Sequence, residues 1–127
     1  MCLADSSEDL VLGEVETASE NGPPQINIIG LPGVTVKESR DRIRIAVGGL
    51  GYKSPSQRVL VHLHPASSPK QGSQLDLAIA LGVLAVEGHL GVVNLSKVAA
   101  LGELALDGRV ESVSSCLVMA ESILRNS

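Results

Sequence analysis

NIIGLPGVTVKESRDRIR, residues 27–44, runs from a β-branched apolar segment through Gly30-Leu31-Pro32-Gly33 into a charged segment holding four of the chain's ten basic residues, Lys37, Arg40, Arg42 and Arg44. The first half reads as a strand, because Ile and Asn alternate before a Gly-Pro break. The second half reads as a helix. Thr35 followed three residues later by Glu38 has capping-box spacing, which predicts a start near Val36. Val36, Ile43, Val47 and Leu50 then fall on one apolar stripe, while Lys37, Glu38, Arg40, Asp41, Arg42 and Arg44 occupy the other faces. Lys37 with Asp41 and Glu38 with Arg42 have i,i+4 spacing, and Gly48-Gly49-Leu50-Gly51 ends the pattern.

Outward from this stretch, Leu10 to Leu12 with Val15 and Thr17 suggest a preceding strand, and Asn21-Gly22-Pro23-Pro24 ends it. That strand and residues 25–31 read as a hairpin around a short turn. On the other side, QRVLVHLH (57–64) alternates as a strand should and stops at Pro65. SQLDLAIALGVLAVE (73–87) is apolar nearly all round, which at this length predicts a central helix packed on more than one side. Residues 99–106 and 109–113 flank Asp107-Gly108, a short-range hairpin signal, and Ser114 or Ser115 can cap a last helix to about Arg125. The polar residues 1–9 read as a flexible N-terminus, and 10–127 as a single domain.

With 127 residues and 44% apolar content, one core can close without disulfides. Cys2 and Cys116 have neither metal-type spacing nor a partner cluster, which fits a reducing cytoplasmic setting. The sequence shows no signal peptide and no run long enough to cross a bilayer. Phe and Trp are absent and Tyr52 is the single aromatic ring outside histidine. The core must therefore be aliphatic, and the stacking platforms of RNA-recognition and single-strand-binding modules are missing.

The net charge of −4 conceals a segregation of sign. Residues 1–22 hold six acids and no Lys or Arg, whereas residues 37–70 hold seven basic residues against Glu38 and Asp41, a local balance of +5. Lys37, Arg40, Arg42, Arg44, Lys53 and Arg58 are thus candidate phosphate contacts, weighed against ordinary solvated charges on a helix face.

Other chemistry is sparser. The sequence contains no GxxxxGK[ST], so the Gly30 to Gly33 turn is not an ATP phosphate loop. His62 and His64 lie two apart on one strand face and His89 could in principle join them, but with no acid or Cys nearby in sequence no metal site is assigned. Lys70 and Ser73 are three apart, and a Ser-Lys pair is catalytic only when the lysine is desolvated. Asp76 has its simplest role at the start of the apolar helix, as a partner of the helix dipole.

GLPGVTVKESRDRIR, LVHLHPASSPKQGSQLDLAIALGVLA and LGELALDGRV, in this order and spacing, resemble the N-terminal domain of magnesium-chelatase-like AAA+ proteins of the ComM/YifB family. The likeness covers nearly everything from residue 10. It implies an α+β fold of two layers, a mixed sheet of about four or five strands with helices on one face. That fold is similar to the Lon-protease C-terminal domain and to the ribosomal protein five domain 2-like superfamily. It further implies a bacterial cytoplasmic parent whose AAA+ module binds ATP and magnesium and assembles as a ring, and in ComM members a DNA-binding, branch-migrating helicase in natural transformation. This chain would then be an excised domain without the module.

The likeness to Lon raises a catalytic question. In an ungapped match the nucleophilic serine position falls on Gln74 and the lysine position on Leu117, and neither side chain can do that work. Ser73 is one residue off, about 100° around a helix. The favoured reading is a non-catalytic accessory domain with no cofactor of its own, whose partners are the parent's AAA+ domain, DNA and further copies of the parent. A Ser-Lys peptidase and a protein-interaction module using an open aliphatic face are the alternatives.

Overall fold

The computed structural model describes residues 5–6, 9–10, 14–30, 33–53, 55–64, 72–91, 95, 98–112 and 121. In chain order the elements are β1 (Asp5–Ser6), β2 (Asp9–Leu10), β3 (Glu14–Glu20), β4 (Gln25–Ile29), α1 (Gly33–Gly49), β5 (Arg58–His64), α2 (Gly72–Val86), β6 (Glu103–Leu104) and β7 (Val110–Glu111). The main sheet has the order β3-β5-β4, while β1-β2 and β6-β7 are two-stranded ladders. β5 pairs antiparallel with β3 and parallel with β4, so the sheet is mixed.

β3 and β4 do not form the expected hairpin, because β5 lies between them. The link Asn21–Pro24 is no two-residue I′ or II′ turn, and its two prolines cannot donate to a ladder. Four residues reach about 13 Å, enough to pass over one strand at about 4.8 Å spacing. Gly22 makes that crossing at the start of β5, where a side chain on it would stand 3.5 Å from Arg58 Cβ. Parallel pairing of β4 with β5 needs a crossover, and α1 supplies it.

Alternation puts Ile26 and Ile28 of β4 and Val59, Val61 and Leu63 of β5 on one buried face. Ile43, Ala46 and Val47 from α1 and Leu75, Ala78, Ile79 and Val83 from α2 cover it, giving two layers with the helices on one side. Each such aliphatic side chain contributes about 1.5–3 kcal/mol by leaving water. The all-round apolar reading of residues 73–87 holds, since α2 packs on α1, β3, β5 and the strand before β7.

Two local readings of α1 change. The helix begins at Gly33, so Thr35 lies within its first turn and not at a cap; a Thr-x-x-Glu spacing also occurs inside a helix. Leu50 leaves the apolar stripe and is 56% exposed, because the helix ends at Gly49 and Gly51, at φ +93°, turns the chain. α2 closes with paired bonds from Gly88 N to Ala85 O (3.1 Å) and His89 N to Leu84 O (2.9 Å), around Gly88 at φ +82°. This is a Schellman cap, for which a left-handed glycine is preferred. The Asp107-Gly108 hairpin forms as read, with Ala105 N bonded to Arg109 O at 2.9 Å. The last helix expected over 114–125 lies outside the described residues, apart from position 121.

α2 approaches β3 at Gly82, where a Cβ would meet Thr17 Cγ2 at 2.7 Å and where Thr17 Oγ1 donates to Gly82 O at 3.2 Å. Gly82→Ala is expected to lower stability by about 1–3 kcal/mol through overpacking. Adding Thr17→Ser removes the obstructing methyl but keeps the hydroxyl, so urea melts should show most of the loss recovered in the double variant.

Candidate basic cleft and the arginine that sustains it

Six basic residues were candidates for phosphate contact, and α1 divides them. Arg42 turns inward. Its Nε donates to Asp76 Oδ2 at 2.6 Å and its Nη2 to Ser39 Oγ at 3.2 Å. Asp76 and Ser39 are fully buried, while the Arg42 side chain is 25% exposed. Burial pushes the Asp76 carboxyl above its ordinary value, against the bonds from Arg42 and Ser39 that pull it down. The Arg42 guanidinium is held protonated more firmly than usual, chiefly by its bond to Asp76. Asp76 is thus no helix-dipole partner: α2 starts at Gly72, which places Asp76 beyond the first turn, and it answers a charge on the neighbouring helix.

Arg40 and Arg44 turn the other way. They line a cleft of about 320 Å³ with Pro24, Gln25, Ile26 and Pro55, where β4 begins beneath α1. Arg44 holds Asp41 only loosely, at 3.7 Å between exposed side chains, an interaction worth at most about 1 kcal/mol. Lys37 is exposed and three residues before Arg40, which puts it on the same helix face. Lys37 to Arg44 spans about 10 Å at 1.5 Å per residue, roughly the rise of three nucleotides along a DNA axis at 3.4 Å each.

The remaining candidates stand apart. Lys53 is exposed in the segment after α1. Arg58 opens β5, whose residues 59, 61 and 63 face the helices, so position 58 lies on the opposite side and pairs with Glu20 at 3.1 Å. The link after Lys53 is tied down by Ser56, whose N and Oγ donate to the Glu87 carboxylate at 2.7 and 2.6 Å. Pro55 is thereby held as one wall of the cleft.

Of the positions matching the Lon dyad, Gln74 is 6% exposed at the third residue of α2; Leu117 and Lys70 lie outside the described residues. His89 stands at the end of α2 with its ring 4.8 Å from Tyr52. The sequence missed the Arg42–Asp76 pair, which joins residues 34 apart. The available signal was an acid inside an otherwise apolar helix, since a buried carboxylate calls for a cation.

A family model described as subunit ChlI of Mg-chelatase matches residues 15–127. YifB of Salmonella typhimurium is 39% identical over 111 residues, 87% of this chain and 22% of that protein. YifB of Escherichia coli is 37% identical over 112 residues, 88% of this chain and 22% of that protein. The competence protein ComM of Haemophilus influenzae is 40% identical over 99 residues, 78% of this chain and 19% of that protein. The chain spans about a fifth of the length of these curated relatives.

Removing one partner of a buried pair leaves the other charge uncompensated, at a cost of about 3–5 kcal/mol where both are buried. With Arg42 partly exposed, Asp76→Ala is expected to cost about 2–3 kcal/mol in urea unfolding, and Arg42→Ala more, since the carboxylate it strands is the fully buried partner. Arg42→Leu combined with Asp76→Leu should recover much of either loss. A double variant no more stable than the singles would show that the pair does not couple the helices.

Proposed function

The chain belongs to the family of the ChlI subunit of Mg-chelatase, and on that premise we propose that it is a non-catalytic accessory domain of an AAA+ ATPase that helps the motor engage DNA. The observation that carries this reading is the cleft under α1, where Arg40 and Arg44 stand together with Lys37 on a face that the fold does not use for itself. Such a stripe supplies sequence-independent attraction to a phosphate backbone. The name of the Haemophilus relative, a competence protein, supports a DNA setting.

ATP and magnesium would be held by the rest of the parent. This chain has no GxxxxGK[ST] with which to cradle phosphates. A part in ring assembly is a second reading. It is favoured by an apolar groove of about 190 Å³ between α1, α2 and the β6–β7 hairpin, rimmed by Leu50 and Val110, 56% and 55% exposed. The peptidase alternative finds no support at Gln74, whose amide is no nucleophile.

Reversing charge at Arg40 and Arg44 together, with Arg42 left in place to hold the helices, should abolish salt-dependent anisotropy binding to a forked duplex while the melting temperature stays near that of the parent. Reversal at Arg58, on the other face, should change binding little. Equal affinity of the Arg40→Glu/Arg44→Glu variant and the parent chain would defeat the DNA reading.

A further inference from the structure

α1 ends at Gly49 and the chain turns at Gly51, at φ +93°, directly before Tyr52. The Tyr52 ring lies 4.8 Å from that of His89, at an interplanar angle of 44°, where the chain leaves the cap of α2. The contact leaves Tyr52 37% exposed, with Lys53 and His89 exposed as well. A chain that has no Phe or Trp thus keeps its one tyrosine out of the core and sets it against another ring. Four residues on, Ser56 donates through N and Oγ to Glu87, two residues before His89. The same two segments are therefore tied twice, which holds Tyr52 in place relative to Pro55, a wall of the Arg40–Arg44 cleft. We propose that Tyr52, with His89 beside it, is a stacking step for one unpaired base of the DNA strand whose phosphates occupy that cleft.

This assignment rests on the DNA reading of the cleft and adds to it the form of the strand. A platform of two or three rings is excluded by composition, but one ring is enough for one base, and every base has a π-face to offer. Tyr52 and Pro55 are three residues apart and so within about 10 Å of each other, close to the rise of three nucleotides at about 3.4 Å each. A strand with its phosphates at Arg40 and Arg44 can therefore set a neighbouring base on the ring. In a duplex the faces of each base are covered by the bases above and below, so the ring can take only a base that is unpaired and splayed out. The contact with His89 and the Ser56–Glu87 tie limit the freedom that Tyr52 has left to lose when a base arrives. Lys53, next in the chain and exposed, is free of the core to meet the backbone of the same strand.

The aromatic NMR spectrum of the 127-residue chain holds only Tyr52 and three histidines, so the tyrosine signals are assigned by composition. Adding a forked duplex with unpaired arms should move the Tyr52 ring protons upfield, the ring-current signature of a base lying on the ring. A blunt duplex of the same paired sequence should not. In anisotropy titrations Tyr52→Leu should weaken binding of the fork by about tenfold, the scale of one lost base stack, while Tyr52→Phe, which keeps the ring, should stay within about twofold of the parent. Affinity for the blunt duplex should be the same in Tyr52→Leu and the parent, since the phosphate contacts remain. An unshifted Tyr52 ring in the fork-bound parent, or equal affinity of Tyr52→Leu and the parent for the fork, overturns the assignment and leaves the DNA reading standing. Failure of the parent chain to bind the fork at all overturns both.

Discussion

A carboxylate with no access to water fixes this fold. Asp76 sits inside α2 among aliphatic side chains, and it is tolerable there because Arg42 reaches it from α1 at 2.6 Å and Ser39 bonds it as well. Hydrophobic contact alone is non-directional and would let α1 slide or rotate against α2 at small cost. A charged hydrogen bond does not. With Arg42 committed inward, residues two positions before and after it on the same helix are carried to the far side at about 100° per residue. The arrangement of Arg40 and Arg44 over the start of β4 is therefore a consequence of where Asp76 lies.

This constraint also explains why charge counting overstated the basic surface. A local balance of +5 treats the arginines as equivalent, but one is an internal strut, one is paired across the sheet with Glu20, and those left for a ligand are fewer and better aligned. On the proposed DNA reading, Lys37, Arg40 and Arg44 would act as a smaller, ordered stripe on one helix face rather than as a diffuse cloud of charge.

How much of this was legible in the sequence depended on range. α2 was readable from its apolar run, β5 from alternation, and the β6–β7 hairpin from Asp107-Gly108, since each is specified by neighbours within a few residues. The β3–β4 hairpin misled because two strands adjacent in sequence are usually adjacent in space. What separates them is β5, which follows a seventeen-residue helix and whose claim on both partners leaves no local trace. The Arg42–Asp76 pair belongs to the same class, since it depends on how distant segments are brought together. Arg42 resembled its neighbours for a related reason: periodicity locates a helix face but does not say which partner meets it.

The lack of Phe and Trp has a structural consequence beyond excluding stacking platforms. A core of Val, Leu, Ile and Ala has no large planar side chain to span wide gaps, so its layers must come closer to reach native packing density. The small residues of α2 serve this need. Ala78 and Ala80 are buried, and Gly82 lets the helix backbone approach Thr17 so closely that even one methyl would collide. Gly102 does the same where the segment leading into β6 passes Leu77, whose backbone nitrogen donates to Gly102 O at 3.2 Å. The same helix carries Asp76, fully buried and paired with Arg42 of α1. The composition that excludes a multi-ring platform thus helps impose the helix geometry on which the basic cleft relies.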